Sequence, residues 1–174
     1  MFSSQDEYFM RQAIKLAAQA EQNGEVPVGA LLVKDGAILA QGYNAVIAQA
    51  DATAHAEIQV VRQAGRKLKN YRLMDTTLYV TLEPCIMCAG ALLHSRIKRI
   101  VYGASDPKAG AAGSVLDVFS SSAAFHKAQV QGGLLTEECR QQLQLFFRRR
   151  RQEIKQAKQA KQAAQPTLGS SQDE

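Results

Sequence analysis

The sequence predicts a layered α/β fold, and three observations lead to this prediction. Segments with helical spacing of apolar residues alternate with short apolar strand segments through residues 54–102. The chain has 174 residues, a length that suits one ordinary domain. Hydrophobic residues make up 46% and charged residues 21% of the chain, so a sizeable core is available and the composition is not that of a disordered protein.

The first predicted element is a helix over residues 5–22. Ser4 and Glu7 have the spacing of a capping box, which marks a helix N-terminus. Apolar residues then recur every three or four positions, and Gly24 and Pro27 close the segment. We therefore expect an amphipathic helix here.

A β-hairpin is predicted next, followed by alternating helices and strands. Residues 28–33 and 37–43 are apolar runs, and Asp35-Gly36 between them is typical of a tight antiparallel turn. The later elements, in order, are a helix from about Ala54 to Gly65, a strand over 77–82, a helix over 85–94, a strand over 97–102, a weaker strand at 128–130 and a terminal helix from Thr136.

The terminal helix combines an apolar stripe with a basic segment. The stripe consists of Leu143, Phe146, Phe147 and Ile154. Beyond Lys155, a Lys-Gln-Ala repeat has high helix propensity but no large apolar anchor, so we expect it to project or fray. Residues 166–174 are expected to be disordered.

The net charge of +5 is concentrated in one segment. Residues 148–161 contain seven Lys and Arg residues and one acidic residue, Glu153. A basic patch of this kind fits a polyanionic partner such as nucleic acid through phosphate contacts. A solvated helix face is the alternative, and the charge run alone does not decide between the two.

Several classes of protein are excluded at this point. The longest apolar stretch, residues 26–33, is far shorter than the roughly 18 residues that a membrane-spanning helix needs. The N-terminus does not have the basic and apolar regions of a secretory signal, so we expect a cytoplasmic protein. Three cysteines are too few for a disulfide scaffold. In a reducing compartment, the pair Cys85-x-x-Cys88 indicates metal or redox chemistry.

Two short motifs together predict a zinc site. Alone, His55-Ala56-Glu57 and Pro84-Cys85-x-x-Cys88 are weak signals, since a lone histidine or cysteine pair is often structural. Together they offer three nitrogen and sulfur ligands of the type that zinc prefers. Pro84 suits a first helical position, so both cysteines would lie on one face of an opening helical turn. A helix N-terminus also stabilises thiolates.

A site with three protein ligands points to catalysis, because structural zinc normally takes four. His94 and Cys139 do not have ligand-like spacing, and we expect them to be a helix C-terminal residue and a core thiol. Zinc lowers the pKa of a bound water toward neutrality, which makes hydroxide available as a nucleophile. Glu57 is near enough to His55 in sequence to accept the water proton without binding the metal. His-x-Glu followed by Pro-Cys-x-x-Cys is the known signature of zinc deaminases.

The sequence resembles the cytidine-deaminase-like superfamily and, within it, the bacterial tRNA-specific adenosine deaminases. The resemblance covers roughly residues 6–155 and extends beyond the zinc motifs. It is carried by Val26-Pro-Val-Gly-Ala30, Gly42-Tyr-Asn44, Thr53-Ala-His-Ala-Glu-Ile58, Leu82-Glu-Pro-Cys-Ile-Met-Cys-Ala-Gly-Ala91, Tyr102-Gly-Ala104, the loop Asp106–Ser114 and Phe146-Phe-Arg148.

The resemblance implies a three-layer α/β/α fold with a central five-stranded mixed sheet. It implies one zinc-dependent deaminase domain, which we place over residues 1–158. The lysine-rich extension is not covered by the resemblance, and we expect residues 159–174 to form a disordered tail. The resemblance also implies a homodimer that hydrolyses adenosine to inosine at the first anticodon position of an arginine tRNA. In that reaction a zinc hydroxide would attack adenine C6, and ammonia would leave.

The resemblance also assigns roles to individual residues. His55, Cys85 and Cys88 would bind zinc, and Glu57 would shuttle the proton. The substrate-binding residues implied are Asn44 for the base edge, Val26 and Ala56 for the pocket wall, Asp106 and Lys108 for the flanking nucleotides, and Phe146, Phe147, Arg149 and Arg150 for the helix that meets the anticodon stem-loop.

The residues alone leave some of these roles open. Asn44 is equally suited to capping a turn, and Asp106 to a turn ahead of Pro107. At least one of Phe146 and Phe147 is expected in the core, because aromatic residues at this spacing on an amphipathic helix usually pack inward.

Three other functions compete with this interpretation. A deaminase of a free base such as guanine would share the zinc chemistry but would have no need for the basic helix. A zinc-stabilised RNA-binding module would require a fourth protein ligand and no special role for Glu57. A thioredoxin-like redox pair at Cys85 and Cys88 would leave His55 and Glu57 without a function.

Overall fold

A mixed five-stranded sheet forms the centre of the computed structural model, which describes residues 1–122 and 124–164. The strands lie in the order β2-β1-β3-β4-β5; β1 is antiparallel to both its neighbours, and β3, β4 and β5 are parallel. The strands are β1 (Gly29–Lys34), β2 (Ala37–Tyr43), β3 (Thr76–Leu82), β4 (Arg99–Ala104) and β5 (Gln129–Gly132). The helices are α1 (Ser4–Gln22), α2 (Val46–Gln49), α3 (Ala56–Leu68), α4 (Ile86–His94) and α5 (Thr136–Ala164).

Helices cover both faces of the sheet, which confirms the three-layer α/β/α prediction. Alternate residues of each inner strand point to opposite faces. On β3, Leu78 packs in a cluster with α3 and α4, whereas its neighbour Tyr79 packs in a cluster with α1 and Cys139 of α5. The predicted core thiol, Cys139, is 1% exposed. Within the described ranges, none of the helices combines the length and apolarity that crossing a membrane requires.

The predicted turn of the hairpin is confirmed, whereas the predicted start of the first helix is shifted by one residue. Asp35 and Gly36 both have left-handed backbone angles, with φ of 51° and 75°, as the predicted tight turn requires. The capping box was expected at Ser4 but lies one residue earlier. The Ser3 hydroxyl accepts a hydrogen bond from the Asp6 amide at 3.1 Å, and the Asp6 carboxylate accepts one from the Ser3 amide at 2.9 Å.

The start of α4 also differs from the prediction. Cys85 is the N-cap and the helix begins at Ile86, so Pro84 lies outside the helix and not at its first position. The Pro84 carbonyl accepts a hydrogen bond from the Ala111 amide at 2.8 Å, which ties this segment to the loop before β5. The short helix α2 was not predicted. The Glu25 carboxylate accepts two backbone hydrogen bonds at its start, and this capping group is 22 residues away in sequence.

The last helix does not stop at the predicted domain end. It continues to Ala164, past residue 158, because the Lys-Gln-Ala repeat has high helix propensity. The first six residues of the predicted disordered tail, 159–164, are therefore helical. Residues 165–174 of that tail lie outside the described residues.

A buried ion pair attaches the start of α1 to the sheet. The Asp6 carboxylate is 2.7 Å from Nη1 of Arg99 on β4, and it accepts a hydrogen bond from the Tyr79 hydroxyl at 2.6 Å. Burial acts to raise the pKa of Asp6, but the hydrogen bonds from Arg99, Ser3 and Tyr79 outweigh it and lower the pKa well below 3.8. The carboxylate therefore stabilises the fold in its charged form.

Asp6→Asn is expected to reduce the free energy of unfolding at pH 7 by about 1.5–3 kcal/mol, the usual range for hydrogen bonds to charged groups. Because folding lowers the pKa of Asp6, its contribution is present above the ordinary carboxyl pKa and is lost as the pH falls below it. Urea unfolding should therefore show a difference in unfolding free energy between the unmodified protein and Asp6→Asn at pH 7, and this difference should disappear in acid. Glu7→Gln, an exposed change on the same helical turn, is the matched control and should show no such difference.

Candidate active site

Three potential metal ligands meet where α3 and α4 begin. His55 is the N-cap of α3, Cys85 is the N-cap of α4, and Cys88 lies in the first turn of α4. Nδ1 of His55 is 3.7 Å from Sγ of Cys85 and 3.6 Å from Sγ of Cys88. All three ligand atoms lie within 4.8 Å of one another. The two predicted motifs therefore converge on one point.

This donor set fits a tetrahedral zinc ion. Bond lengths of about 2.0–2.1 Å to nitrogen and about 2.3 Å to sulfur, at tetrahedral angles, separate the two ligand atoms by about 3.5–3.6 Å. The observed nitrogen-to-sulfur distances of 3.6 and 3.7 Å are close to this range. Among the described residues, no other His, Cys, Asp or Glu joins the cluster, which leaves a fourth position for water or substrate.

The local electrostatics favour a thiolate in the site. A hydrogen bond from Cys88 and a weaker effect of one from His55 lower the pKa of Cys85 to about 4, although partial burial acts to raise it. The hydrogen bond to Cys85 raises the pKa of His55. The N-termini of α3 and α4 both add positive potential at this point. Cys85 is therefore prepared to bind a cation as a thiolate, whereas the hydrogen bond to Cys85 and burial raise the pKa of Cys88.

Glu57 lies beside the cluster without joining it. The residue is 4% exposed, and burial raises the pKa of its carboxyl group to about 7. It interacts electrostatically with His55 and Cys85, and its carboxylate accepts a hydrogen bond from the Cys88 thiol. A buried carboxyl group with a pKa near neutrality can both accept and donate a proton, as a proton shuttle must.

Asn44 supports the start of α3 from the end of β2. Its Oδ1 accepts a hydrogen bond from the Ala56 amide at 2.9 Å, and the residue is 8% exposed. The capping role that the sequence left open is therefore real, although it acts on a helix and not on a turn. Within residues 1–122 and 124–164, no partner holds Nδ2 of Asn44, so a donor remains for a ligand. Ala56 is buried and Val26 is half-buried against the same core cluster.

Glu83 is a buried residue that the sequence analysis missed. Its carboxylate accepts backbone hydrogen bonds from Asp106, Ala112 and Ser114 at 2.9–3.0 Å, and a further one from the Ser114 hydroxyl. Burial acts to raise its pKa, but these hydrogen bonds outweigh it and lower the pKa. A Cβ at Gly110 would lie 2.5 Å from this carboxylate, so only glycine fits there. Glu83, two residues before Cys85, thus fixes the loop 106–114 beside the site.

Glu83→Gln is expected to loosen this loop, because an amide offers one acceptor oxygen where the carboxylate offers two. At least one partly buried N–H loses its partner, at a cost toward the lower end of about 1–3 kcal/mol in unfolding free energy. Amide hydrogen exchange at Ala112 and Ser114 should accelerate while exchange in β1 is unchanged. Glu138→Gln on the exposed face of α5 is the control. Unchanged protection of the loop would contradict this role for Glu83.

A comparison with models of known protein families supports a zinc site at these residues. Residues 3–104 match the model of the cytidine and deoxycytidylate deaminase zinc-binding region. The chain belongs to this deaminase family. It is therefore a zinc-dependent deaminase, and His55, Cys85 and Cys88 form its possible metal site.

Within this family, the chain is similar to curated relatives and solved structures with specific substrates. The deaminase is 54% identical over 151 residues to the tRNA-specific adenosine deaminase of Haemophilus influenzae, which covers 86% of this chain and 87% of that protein. It is 46% identical to the Bacillus subtilis protein of the same name, over 88% of this chain and 96% of the relative. A solved structure from work on tRNA:A34 deaminases that edit the wobble position has a TM-score of 0.77 and 45% identity, over 78% of this chain and 99% of its own.

A deaminase with another substrate is also similar. The Bacillus subtilis guanine deaminase structure has a TM-score of 0.56 and 38% identity, over 75% of this chain and 87% of its own. The fold and the zinc region are thus compatible with more than one substrate, and the contact residues have to distinguish them.

Asp106 and Lys108 lie in a turn of the loop. Oδ1 of Asp106 accepts hydrogen bonds from the Lys108 amide at 2.9 Å and the Ala109 amide at 3.3 Å. Asp106 is therefore a turn residue, the alternative that the sequence left open. Lys108 is exposed on the same turn, which Glu83 holds through the Asp106 amide.

The basic helix of the deaminase presents only part of the predicted contact set to solvent. Phe146 is 5% exposed and belongs to the core, whereas Phe147 is 44% exposed, so the expectation that at least one packs inward is confirmed. Arg149 forms an ion pair with Glu21 at the end of α1. Arg150 pairs with Glu153 at 3.0 Å on the same helix. Both arginines are nevertheless about half exposed, so their guanidinium groups stay accessible.

Proposed function

We propose that this deaminase hydrolyses adenosine to inosine at the first anticodon position of an arginine tRNA in the cytoplasm. The observation that carries the hydrolytic part is the three-ligand cluster with the buried carboxyl group of Glu57 beside it. The tRNA part is supported by relatives of 54% and 46% identity that are tRNA-specific adenosine deaminases. The segment of seven basic residues and one acidic residue over 148–161 supports a polyanionic substrate.

The reaction exchanges the amino group at adenine C6 for the oxygen of a water molecule and releases ammonia. His55, Cys85 and Cys88 would hold the zinc ion, which would supply Lewis-acid activation of that water. Glu57 accepts the first water proton and delivers it to adenine N1. It then takes the proton of the new C6 hydroxyl group and passes it to the amino group, which leaves as ammonia while the C6 carbonyl forms. Its pKa of about 7 suits both directions of transfer.

The remaining residues of the site position the base. Asn44 keeps Oδ1 on the Ala56 amide, which leaves its Nδ2 as a donor for the edge of the purine. Val26, which is half-buried, would supply an apolar contact to the ring, and the buried Ala56 would back the wall of the pocket. Single-stranded loop bases can be splayed out into such a pocket, whereas stacked bases in a duplex cannot reach it.

The residues away from the pocket would hold the RNA. Lys108 and the exposed ring of Phe147 offer a phosphate contact and a stacking surface to the anticodon stem-loop. Arg149 and Arg150 would add phosphate contacts that position the loop without reading its sequence. Asp106 acts through the turn that presents Lys108.

A homodimer is part of the proposal. It is supported by the family resemblance and by large apolar side chains that the single chain leaves exposed, including Ile86, next to Cys85, at 60% and Ile47, three residues after Asn44, at 69%. Light scattering of the purified protein measures the mass of the assembly directly.

The test of this function is the substrate. The zinc-loaded protein is incubated with an arginine-tRNA anticodon stem-loop that carries adenosine at the wobble position, and in parallel with free adenosine, guanine and cytidine. Inosine formation in the stem-loop alone is expected. Conversion of guanine or another free substrate instead would retain the zinc chemistry and overturn the RNA assignment, and no conversion of any of them would favour an RNA-binding module without catalysis.

A further inference from the structure

The helix α5 continues well beyond the body of the protein. Its last buried residue is Phe146, and every residue from Phe147 to Ala163 is exposed. At 1.5 Å per residue, the part from Arg151 to Ala164 extends about 20 Å. We call this part the C-terminal arm. Over residues 147–163, no packing against the core accounts for this extension.

The C-terminal arm carries four cations that have no acidic partner among residues 1–122 and 124–164. They are Arg151, Lys155, Lys158 and Lys161. By contrast, Arg149 and Arg150, just before the arm, pair with Glu21 and Glu153. In the part of the chain that the structure describes, none of the four forms a salt bridge. With 100° between successive helical residues, the four lie within an arc of about 120° and form one stripe along the arm.

The composition of the C-terminal arm selects the kind of partner. Ile154 is its only large apolar residue, and it has no aromatic residue. The arm therefore offers no aromatic ring on which bases could stack, and it does not have the apolar face with which amphipathic helices enter a lipid surface. A row of lysine and arginine side chains without apolar neighbours suits the regularly spaced phosphates of a nucleic acid backbone.

We propose that the C-terminal arm binds the phosphate backbone of the RNA substrate outside the anticodon loop. This inference rests on the proposed function for the identity of the RNA. The arm adds affinity through counterion release and does not contact the reacting base, so it acts on substrate capture and not on the chemical step. Its contribution depends on RNA beyond the short loop that fills the active site.

The test uses the full chain with Lys155, Lys158 and Lys161 all changed to glutamine. Two matched triple variants accompany it. Lys→Arg at the same three positions keeps the charge of the arm. Lys→Gln at Lys15, Lys34 and Lys98 removes the same charge from exposed or edge positions elsewhere; Lys34 and Lys98 lie at the end of the sheet opposite to the zinc site.

Binding to whole tRNA is measured over a salt series, together with turnover. For the arm Lys→Gln variant we expect a raised KM for whole tRNA, an unchanged kcat, and a slope of log affinity against log salt that is shallower by about two to three units, near 0.9 per lost contact. The loss should be smaller with the isolated stem-loop. The Lys→Arg variant and the Lys15, Lys34 and Lys98 variant should both behave like the unmodified protein.

Several outcomes would overturn the proposal. An unchanged salt slope with whole tRNA would show that the arm does not contact the RNA. An equal loss of tRNA affinity in the Lys15, Lys34 and Lys98 variant would show that the effect depends on net charge alone. Arm-dependent binding to polyglutamate but not to tRNA would assign the arm to an acidic protein. Binding is measured by filter binding, which needs no turnover. A failure of the arm proposal can therefore be distinguished from a failure of the proposed function, in which the unmodified protein forms no inosine in any tRNA.

Discussion

Glu57→Gln is expected to lower kcat by a factor on the order of 10²–10⁴ or more, the usual contribution of a general acid or base. Glutamine has the shape of the buried carboxyl group but cannot accept or donate the proton. The structure leaves Glu57 outside the cluster of His55, Cys85 and Cys88, so the variant should bind zinc normally. Single-turnover inosine formation, zinc content and thermal melting together measure the effect.

The zinc content decides how a loss of activity in this variant is interpreted. One zinc per chain and an unchanged melting temperature would assign the loss to proton transfer. Loss of the metal would make Glu57 a ligand or a structural partner of the ligands. Retained turnover would show that another group moves the proton, and the proposed mechanism would be wrong.

Cys88→Ala is expected to abolish both zinc binding and turnover. Cys88 supplies one of three ligand atoms, and two remaining ligands do not form a tight site. The matched control is Cys139→Ala, which removes a buried thiol that lies on the other face of the sheet, in the cluster with α1. That variant should keep one zinc per chain and measurable activity, although removing a buried sulfur costs some stability.

Removal of the metal from the unmodified protein completes this prediction. A strong chelator should abolish turnover, and added zinc should restore it. A redox pair at Cys85 and Cys88 would instead respond to reductant and survive chelation. Zinc binding that persists without Cys88 would show that a further ligand exists, as the RNA-binding-module hypothesis requires.

The zinc centre was predictable from the sequence because its chemistry is local. His55 and Glu57 share one short motif and Cys85 and Cys88 share another, and a helix N-terminus follows each first ligand. Only the convergence of the two motifs, 30 residues apart, needed the fold. The tight turn at Asp35 and Gly36 was predictable for the same reason, since two residues with left-handed angles determine it.

The residues that were missed act through contacts distant in sequence. Glu83 holds amides that lie 23–31 residues away, and Glu25 caps a helix 22 residues later. The Glu21 partner of Arg149 is 128 residues away, so the sequence showed a free arginine where the fold has an ion pair. No periodicity or turn signal carries such information, because it depends on how layers pack against each other.

The most direct test is the origin and position of the new oxygen. Arginine tRNA with a wobble adenosine is incubated with the zinc-loaded protein in ¹⁸O-labelled water and then analysed by nucleoside mass spectrometry and by reverse transcription. Hydrolysis predicts inosine that carries one labelled oxygen, at the first anticodon position alone. Inosine without the label, conversion at other positions, or an unchanged tRNA together with labelled product from a free base would contradict the proposed function.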